Sequence, residues 1–225
     1  MKRRFVWDLP TRVFHWALLV LVGVSFTTGL MGGFNIMDYH MLSGYGILSL
    51  VIFRILWGLI GNYHARFTSF VKGPKTTIAY ARQLLGKHQQ PSTGHNPLGA
   101  LSVLAILAVL LIQAGSGLFA NDDILLEGPL VHLVSDRTSS QLTSIHETVP
   151  WIIAGLVLLH LAALAYHIIA RGENLLLPML TGWQKSASTD IKSASTDIKA
   201  SNPWFRGLLA FGIVALAVYA LVKYV

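Results

Sequence analysis

The segment from His146 to His167 constrains the fold of this chain more than any other stretch. Between Val149 and Tyr166 it carries no charged residue, and His160 is its one polar side chain besides the tyrosine. An uninterrupted run of that length and apolarity is typical of a helix that crosses a lipid bilayer. The segment therefore predicts an integral membrane protein with a histidine inside a membrane-spanning helix.

The spacing of two histidines in this helix places them on one face at two depths. His146 and His160 are fourteen residues apart, which on a helix is a rise of about 21 Å and a net rotation of about 40°. One imidazole then lies close to each side of the bilayer. An ionisable side chain inside a span is costly without a partner, so it marks a candidate functional site.

Four further apolar spans accompany this helix, and the composition agrees with a membrane protein. Hydrophobic residues make up 53% of the 225 residues and charged residues 12%, which is roughly half the charged share of a soluble domain. The absence of cysteine excludes disulfides, iron–sulfur clusters, thiolate zinc sites and covalently attached c-type haem. The first span is interpreted as a retained helix rather than a signal peptide. The predicted spans are 13–32, 40–61, 97–119, 145–170 and 204–223.

The lysine and arginine residues predict the orientation of the chain in the membrane. Fourteen of the 17 lie at the amino end, in the loop 62–96 and in the segment 171–206, whereas Arg137 and Lys223 lie on the opposite side. Positive charge is enriched in cytoplasmic loops. We therefore expect a bacterial inner-membrane protein with a cytoplasmic amino terminus and a periplasmic carboxyl terminus. The net charge of +7 is explained by this topology and indicates no nucleic-acid partner.

The chain divides into three regions. Residues 1–180 hold the first four spans, and residues 181–203 form a cytoplasmic linker in which Lys185–Ile191 recurs unchanged as Lys192–Ile198. Residues 204–225 add a span with no charged residue in its interior, which we expect to lie outside the functional bundle. The predicted fold class is an all-α integral membrane protein, a four-helix transmembrane bundle plus a fifth, C-terminal transmembrane helix.

Four histidines lie near or inside the spans and pair by depth. Under the predicted orientation His40 and His146 lie in the outer half of the membrane. His15 and His160 lie in the inner half. By depth alone, His167 could replace His160 as the partner of His15, because helix tilt changes the depth estimated from residue counts. Opposed imidazoles suit the two axial positions of haem b, and a four-helix bundle can enclose the porphyrin. The pattern thus predicts two haem b groups.

Arg54 is the only fixed charge within a span, and Gly44 and Gly46 follow His40 by about one turn. An arginine at that depth needs an anion. Since no carboxylate lies in the inner half of any predicted span, we expect a haem propionate, another anionic cofactor or a lipid. The glycines suit either the approach of a flat macrocycle or ordinary packing between helices. Cofactor-binding roles are therefore predicted for Arg54 and Gly44.

Several motifs together resemble one protein family. With the four-histidine pattern, they make residues 5–180 similar to the bacterial cytochrome b561 family. That family includes the b-type cytochrome subunits of nickel–iron hydrogenases and the membrane subunits of some formate dehydrogenases. The motifs are W-D-L-P-T-R-V-F-H-W at 7–16, G-H-N-P-L-G-A-L at 94–101, F-A-N-D-D-I-L-L-E-G-P at 119–129 and the H-E-T that begins at His146.

The resemblance implies two haem b groups with assigned axial ligands. His15 and His160 would hold the inner haem, which decides against His167 as an axial ligand. His40 and His146 would hold the outer haem. The family's fold, a four-helix core, agrees with the fold class predicted from the spans.

The resemblance also implies partners. Electrons would pass between the quinone pool and a periplasmic redox partner, either a cytochrome c or a catalytic subunit. A quinone would lie beside the inner haem, near His95 and Asn96. His167 and Arg12 are assigned to contact with a propionate or to a proton relay. Superoxide oxidation, quinol oxidation and service to a dehydrogenase are all compatible with these features, and the oligomeric state is open.

Two other functions would use the same residues. A metal-ion transporter would bind zinc, copper or nickel through the histidines, but the spans lack carboxylates and the pairs lie at two depths rather than at one midplane site. An anchoring subunit without a cofactor would leave the histidines merely hydrogen-bonded.

Outside the spans, the acidic outer loop 120–143 suits either the steering of a basic partner or plain solvation. We therefore expect a di-haem electron carrier embedded in lipid.

Overall fold

The computed structural model describes residues 3–84, 96–124, 126–185 and 203–224. The elements are β1 (Arg3–Phe5), α1 (Leu9–Met31), α2 (Phe34–Ile60), α3 (Phe67–Phe70), α4 (Pro74–Leu84), α5 (Pro97–Gly117), a 3-10 turn (Val131–Leu133), α6 (Asp136–Ile169), α7 (Leu176–Thr181), β2 (Trp183–Lys185) and α8 (Trp204–Tyr224). Helices α1, α2, α5, α6 and α8 are long and apolar enough to cross a membrane. The predicted all-α membrane fold with five spans is confirmed.

Two of the spanning helices begin at side-chain caps that the sequence places just outside them. The Asp8 carboxylate accepts a hydrogen bond from the Thr11 N–H at 3.0 Å, and the Asn96 side chain accepts one from the Gly99 N–H at 2.7 Å. A proline follows each cap within the first turn, where its missing N–H leaves no bond unmade. These caps fix where α1 and α5 start.

Helix α2 begins earlier than the sequence analysis predicted. The turn expected over 32–39 consists only of Gly32 and Gly33, whose φ angles are +64° and +92°. Glycine adopts positive φ without steric cost, so two residues suffice to reverse the chain. Helix α2 therefore starts at Phe34, and His40 lies inside the helix rather than at its first residue. The predicted span, which began at residue 40, therefore omitted the first six residues of α2.

Helix α6 is also longer than its predicted span. It runs for 34 residues, about 51 Å at the rise of an α-helix, whereas the hydrocarbon layer of a bilayer is about 30 Å thick. The residues 136–144 are polar except for Leu142. They follow the cap at Ser135, whose side chain accepts a hydrogen bond from the Thr138 N–H at 3.3 Å. The first turns of α6 thus extend beyond the apolar span that contains the histidines.

Helix α2 is the central helix of the bundle. It packs against α1, α5 and α8, and α5 packs against α6. Between α1 and α6, the Phe26 and Trp151 rings meet edge to face with centroids 6.0 Å apart. Because α2 has neighbours on three sides, it supplies much of the main buried cluster: Ile47, Leu50, Val51, Phe53 and Trp57.

Helix α8 packs on the α2 side of the bundle. The Phe211 ring meets the Phe53 ring at 90° with centroids 5.8 Å apart. Gly207 lies directly against Pro10 at the start of α1, where an added Cβ would come within 2.5 Å of the proline ring. The fifth span is therefore seated on the first two helices.

The segment after α6 returns to the amino-terminal end of α1 and packs against it. Strand β2 pairs antiparallel with β1, so the residues Trp183–Lys185, which the sequence analysis placed in the linker, belong to the folded body. An Arg12 Nη1–H donates to the Leu180 carbonyl oxygen, and the Trp16 Nε1–H donates to that of Met179 at 3.4 Å. Apart from Lys185, the duplicated segment of the linker lies outside the described residues.

Candidate functional site

His40 and His146 face each other across the interior of the bundle. Their ring centroids are 5.8 Å apart and the ring planes cross at 84°. His40 comes from α2 and His146 from α6, and both rings line a cavity of about 430 Å³ between α1, α2, α5 and α6. The structure thus brings together two histidines that the sequence paired by depth, hereafter the outer pair.

The protein backbone fixes the orientation of the His40 ring. Its Nδ1–H donates to the Ser25 carbonyl oxygen of α1 at 2.8 Å. The ring lies against Gly29, where an added Cβ would come within 2.9 Å of Cε1. Because a carbonyl oxygen only accepts, Nδ1 carries the proton and Nε2 keeps its lone pair.

The His146 ring is held in the same way by another helix. Its Nδ1–H donates to the Gln113 carbonyl oxygen of α5 at 2.9 Å. The ring lies against Gly117, where an added Cβ would come within 2.7 Å of Cε1. In both cases the accepting carbonyl stands four residues before a glycine. The His40 ring therefore presents Nε2 as an available metal ligand, with its second nitrogen fixed by the protein. The His146 Nε2 lies 3.4 Å from the Gln113 side-chain Nε2, so this amide must move aside before a metal can bind there.

Gln113 also holds His146 through its side chain. Pro150 stands four residues after His146 inside α6 and has no N–H, so the His146 carbonyl oxygen lacks its normal helical donor. The Gln113 Nε2–H donates to this oxygen at 3.0 Å. The Gln113 Oε1 atom is buried and has no hydrogen-bond partner among the described residues. The sequence analysis assigned no role to Gln113.

The cavity around the outer pair has an apolar wall and an acidic mouth. Its size lies within the range of ligand-binding cavities. Gly44 lines it and has open space in front of its Cα, whereas Gly46 lies against Leu21, where an added Cβ would come within 2.8 Å of the leucine. Of the two roles considered for these glycines, Gly44 at the cavity fits the approach of a flat macrocycle, and Gly46 fits packing between helices. The charged residues at the described lining are carboxylates: Asp122, Glu127 and Glu147.

His15 and His160, hereafter the inner pair, are held less completely. They come from α1 and α6 and interact electrostatically. The His15 Nδ1 atom is buried and has no hydrogen-bond partner within the described ranges. The His160 side chain is exposed on the surface of the single chain. The structure therefore brings these two histidines near each other without fixing either ring as it does in the outer pair.

Spare hydrogen-bonding capacity is concentrated beside His15. In the described part of the chain, four buried side-chain polar atoms lack a partner. Three of them lie on one turn of α1: Thr11 Oγ1, Arg12 Nε and His15 Nδ1. Residues at such spacing share one helix face. This face can still accept and donate hydrogen bonds, and Arg12 adds a positive charge.

The Arg54 side chain already has interaction partners within the protein. Its Nη1–H donates to the Ala65 carbonyl oxygen at 3.1 Å, and the guanidinium lies 5.1 Å from the centre of the Phe67 ring. Its charge also interacts with Asp8, whose Oδ2 accepts a hydrogen bond from Trp57 Nε1 at 3.2 Å. The sequence analysis looked for a carboxylate only within the predicted spans, and Asp8 lies outside them. Asp8 precedes α1 yet is buried, so the argument for a cofactor anion at Arg54 no longer holds.

His167 has a partner in the loop after α6. Its Nδ1 lies 2.8 Å from Glu173 Oε2, and the Glu173 N–H donates to the His167 carbonyl oxygen at 3.0 Å. Burial raises the pKa of the nearby Tyr80 phenol, and the Glu173 carboxylate raises it further. Helix α4 therefore lies close to this pair. Of the two residues predicted near a quinone, Asn96 is the cap of α5 and His95 lies outside the described residues.

The fold and the paired histidines define a class, an all-helical membrane protein with opposed imidazoles between its helices. The family described as prokaryotic cytochrome b561 matches residues 6–182, and the chain belongs to it. It is therefore a multi-pass membrane protein of electron transfer, and b-type cytochromes carry haem b. No solved structure matches the chain.

Curated relatives are similar over most of their length. A "Probable Ni/Fe-hydrogenase B-type cytochrome subunit" of Azotobacter chroococcum mcd 1 is 25% identical over 218 residues, covering 80% of this chain and 88% of the relative. A "Probable Ni/Fe-hydrogenase 1 B-type cytochrome subunit" of Escherichia coli (strain K12) is 21% identical over 211 residues, covering 80% and 90%. Both names refer to subunits of nickel–iron hydrogenases.

Proposed function

We propose that this chain is a di-haem cytochrome b that carries electrons across the bacterial inner membrane. One haem b would be bound by His40 and His146, and the other by His15 and His160. The observation that carries the proposal is the outer pair, two rings from different helices that face each other with both Nδ1 atoms already satisfied.

The geometry of the outer pair fits a haem iron between the rings. Metal–imidazole bonds are about 2.0–2.1 Å long, so two imidazoles on opposite sides of one metal have centroids about 6 Å apart. The centroids of the His40 and His146 rings are 5.8 Å apart in the structure. Neutral imidazole with Nδ1 protonated is also the form that binds through Nε2. The chemistry and the spacing of the ligand set thus support this site.

The inner pair fits a haem in a different way. His15 Nδ1, Arg12 Nε and Thr11 Oγ1 are buried polar atoms that need a partner, and a haem propionate would supply an acceptor for Arg12. His160 rather than His167 is the second ligand, because His167 is bound to Glu173. Arg12 is therefore kept as a propionate contact and Arg54 is not.

When bound, haem b supplies one-electron oxidation and reduction at its iron. The protein's contribution is to hold the imidazoles neutral and fixed. At the outer pair the carbonyl oxygens of Ser25 and Gln113 hold each ring by Nδ1. Apolar side chains of α1 and α5 also line the cavity around the rings.

The partners follow from the orientation. The positive-inside distribution of lysine and arginine supports a cytoplasmic amino terminus and a periplasmic outer pair. On that side the partner would be a hydrogenase-type catalytic subunit, as the relatives' names indicate, or a cytochrome c. A quinone would exchange electrons with the inner pair, near Asn96.

A visible spectrum of the detergent-purified protein tests the proposal. We expect a Soret band, an α band on reduction and about two haems per chain. Replacing His40 or His146 with alanine should remove one haem and leave the other. A protein that stays colourless after reconstitution with haem, or an H40A variant with both haems intact, would overturn it.

A metal-ion transporter is the second candidate function. Such a site needs several ligands on one ion, and the described residues contain no group of three or more histidine or carboxylate side chains that could hold a metal. Zinc, copper or nickel uptake by proteoliposomes of the haem-free protein would favour this alternative.

A further inference from the structure

The two rings of the outer pair are set by matching backbone features on two different helices. On α1, the Ser25 carbonyl binds His40 and Gly29 leaves room for the ring. On α5, the Gln113 carbonyl binds His146 and Gly117 leaves room for the ring. We call each carbonyl with its glycine a ring cradle.

The glycine of a cradle is what exposes the carbonyl. In an α-helix the carbonyl of one residue points toward the N–H four residues later, so a side chain on that later residue would cover the oxygen. At Gly29 and Gly117 an added Cβ would lie 2.9 and 2.7 Å from the imidazole Cε1. Contacts this short force the ring or the helix to move.

The two cradles together determine the angle between the rings. Each imidazole lies against a neighbouring helix, α1 for His40 and α5 for His146, and its Nδ1–H donates to a backbone carbonyl there, which limits its rotation toward the other ring. The resulting planes cross at 84°. Because neither ring depends on a bound group for its position, the angle exists before any cofactor enters.

We propose that Gly29 and Gly117 are positioning residues that hold the axial imidazoles of the outer haem nearly perpendicular. This inference rests on the proposed function. Perpendicular axial planes leave the two iron orbitals that overlap with the imidazoles nearly equal in energy. A low-spin ferric haem of this kind gives an electron paramagnetic resonance (EPR) signal with one very large g value. Parallel planes separate the orbitals and give a rhombic signal.

The test is the EPR spectrum of the oxidised, haem-loaded protein and its glycine variants. We expect the outer haem of the unaltered protein to show the large-g signal, assigned by its absence in H40A. Gly117→Ala should abolish or shift this signal or release the outer haem, while the inner haem stays. Gly115→Ala is the matched control, since Gly115 lies two residues away on α5 with open space at its Cβ position.

The second cradle gives an independent comparison. Gly29→Ala should act on the outer haem as Gly117→Ala does, whereas Gly23→Ala, in open space on α1, should change nothing. Retention of the inner haem reports that each variant is folded.

The outcomes separate this inference from the proposed function. A rhombic outer haem in the unaltered protein overturns the inference without any variant, as does a Gly117→Ala protein that matches Gly115→Ala. In both cases the two haems and their loss in H40A would still support the proposed function. Absence of an outer haem in the unaltered protein would instead remove the proposed function itself.

Discussion

The outer and inner histidine pairs occupy the same helix bundle but are held by different means. In the outer pair both rings donate Nδ1–H to a backbone carbonyl and rest against a glycine. In the inner pair the Nδ1 of His15 has no partner in the described part of the chain, and His160 is exposed. The protein thus fixes both rings of the outer pair, but it does not fix those of the inner pair in this way.

The difference shows how helices can encode a rigid ligand position. A carbonyl four residues before a glycine is a local feature of one helix, so it forms when the helix forms. Binding to such a preformed site avoids the cost of ordering side chains. The inner pair lacks this feature, and its rings must be ordered by whatever binds between them. The two proposed haems should therefore differ in how firmly they are held.

The most direct test of this difference is the rate of haem release. In the presence of excess apomyoglobin as a haem acceptor, we expect the inner haem to leave about tenfold faster or more, since a tenfold ratio needs only about 1.4 kcal/mol. The His15 Nδ1, which has no partner among the described residues, and the exposed His160 side chain supply this difference. Single-haem variants H40A and H160A assign the two phases. Equal rates, or earlier loss of the outer haem, would contradict the comparison.

The next effect concerns the support beneath the inner pair. Asp8 caps α1 and accepts a hydrogen bond from Trp57. Replacing Asp8 with alanine removes a helix cap and a hydrogen bond to a charged group, a loss of about 2–4 kcal/mol. We expect thermal denaturation in detergent to release the inner haem at a lower temperature, with a smaller change at the outer haem.

Asp8→Asn is the control for this change. It keeps an oxygen that can cap the helix but removes the charge that faces Arg54. Its effect should be smaller than that of Asp8→Ala. If both variants destabilise the outer haem first, Asp8 does not act through the end of α1 that carries His15.

The sequence predicts features that depend on residues close together along the chain, and it misses those that depend on contacts between helices. The five spans follow from hydropathy, and the depths of His40 and His146 follow from the spans and from helix geometry. The burial of Asp8 was missed because a residue outside a span is read as solvated. Only the packing of α2 on α1 shows that Trp57 and Arg54 cover it.

The ring cradles were beyond sequence reasoning for a similar reason. Gly29 and Gly117 look like ordinary small residues of membrane helices, and a backbone carbonyl leaves no trace in composition. The spacing of a polar residue and a glycine four apart occurs once on α1 and once on α5 at the level of the outer pair. That repeated spacing is a signal, but it gains meaning only once a histidine is known to lie against each helix.

A third prediction concerns the outer pair alone. Gln113→Leu should leave the His146 carbonyl oxygen without a donor, at a cost of about 1–3 kcal/mol. Thermal release of the outer haem should move to lower temperature while that of the inner haem stays. Pro150→Ala restores the helical N–H that can reach the same oxygen. The double variant should therefore be more stable than the sum of the two single changes. Strict additivity would show that Gln113 and Pro150 are independent.

The smallest effect is expected at the cytoplasmic end of α6. His167 and Glu173 join this end to the loop that leads to α7, and α7 in turn receives the hydrogen bonds of Arg12 and Trp16. Glu173→Ala removes one hydrogen bond, a loss of about 0.5–1.5 kcal/mol. Since the bond lies on the side of the inner pair, hydrogen exchange should quicken at residues 170–176 and inner-haem release should quicken slightly. Glu147→Ala, an exposed carboxylate beside His146 on the same helix, is the matched control and should leave both measurements unchanged. A Glu173→Ala protein that loosens the outer haem instead would show that the two pairs are mechanically linked through α6, and the contrast between them would fail.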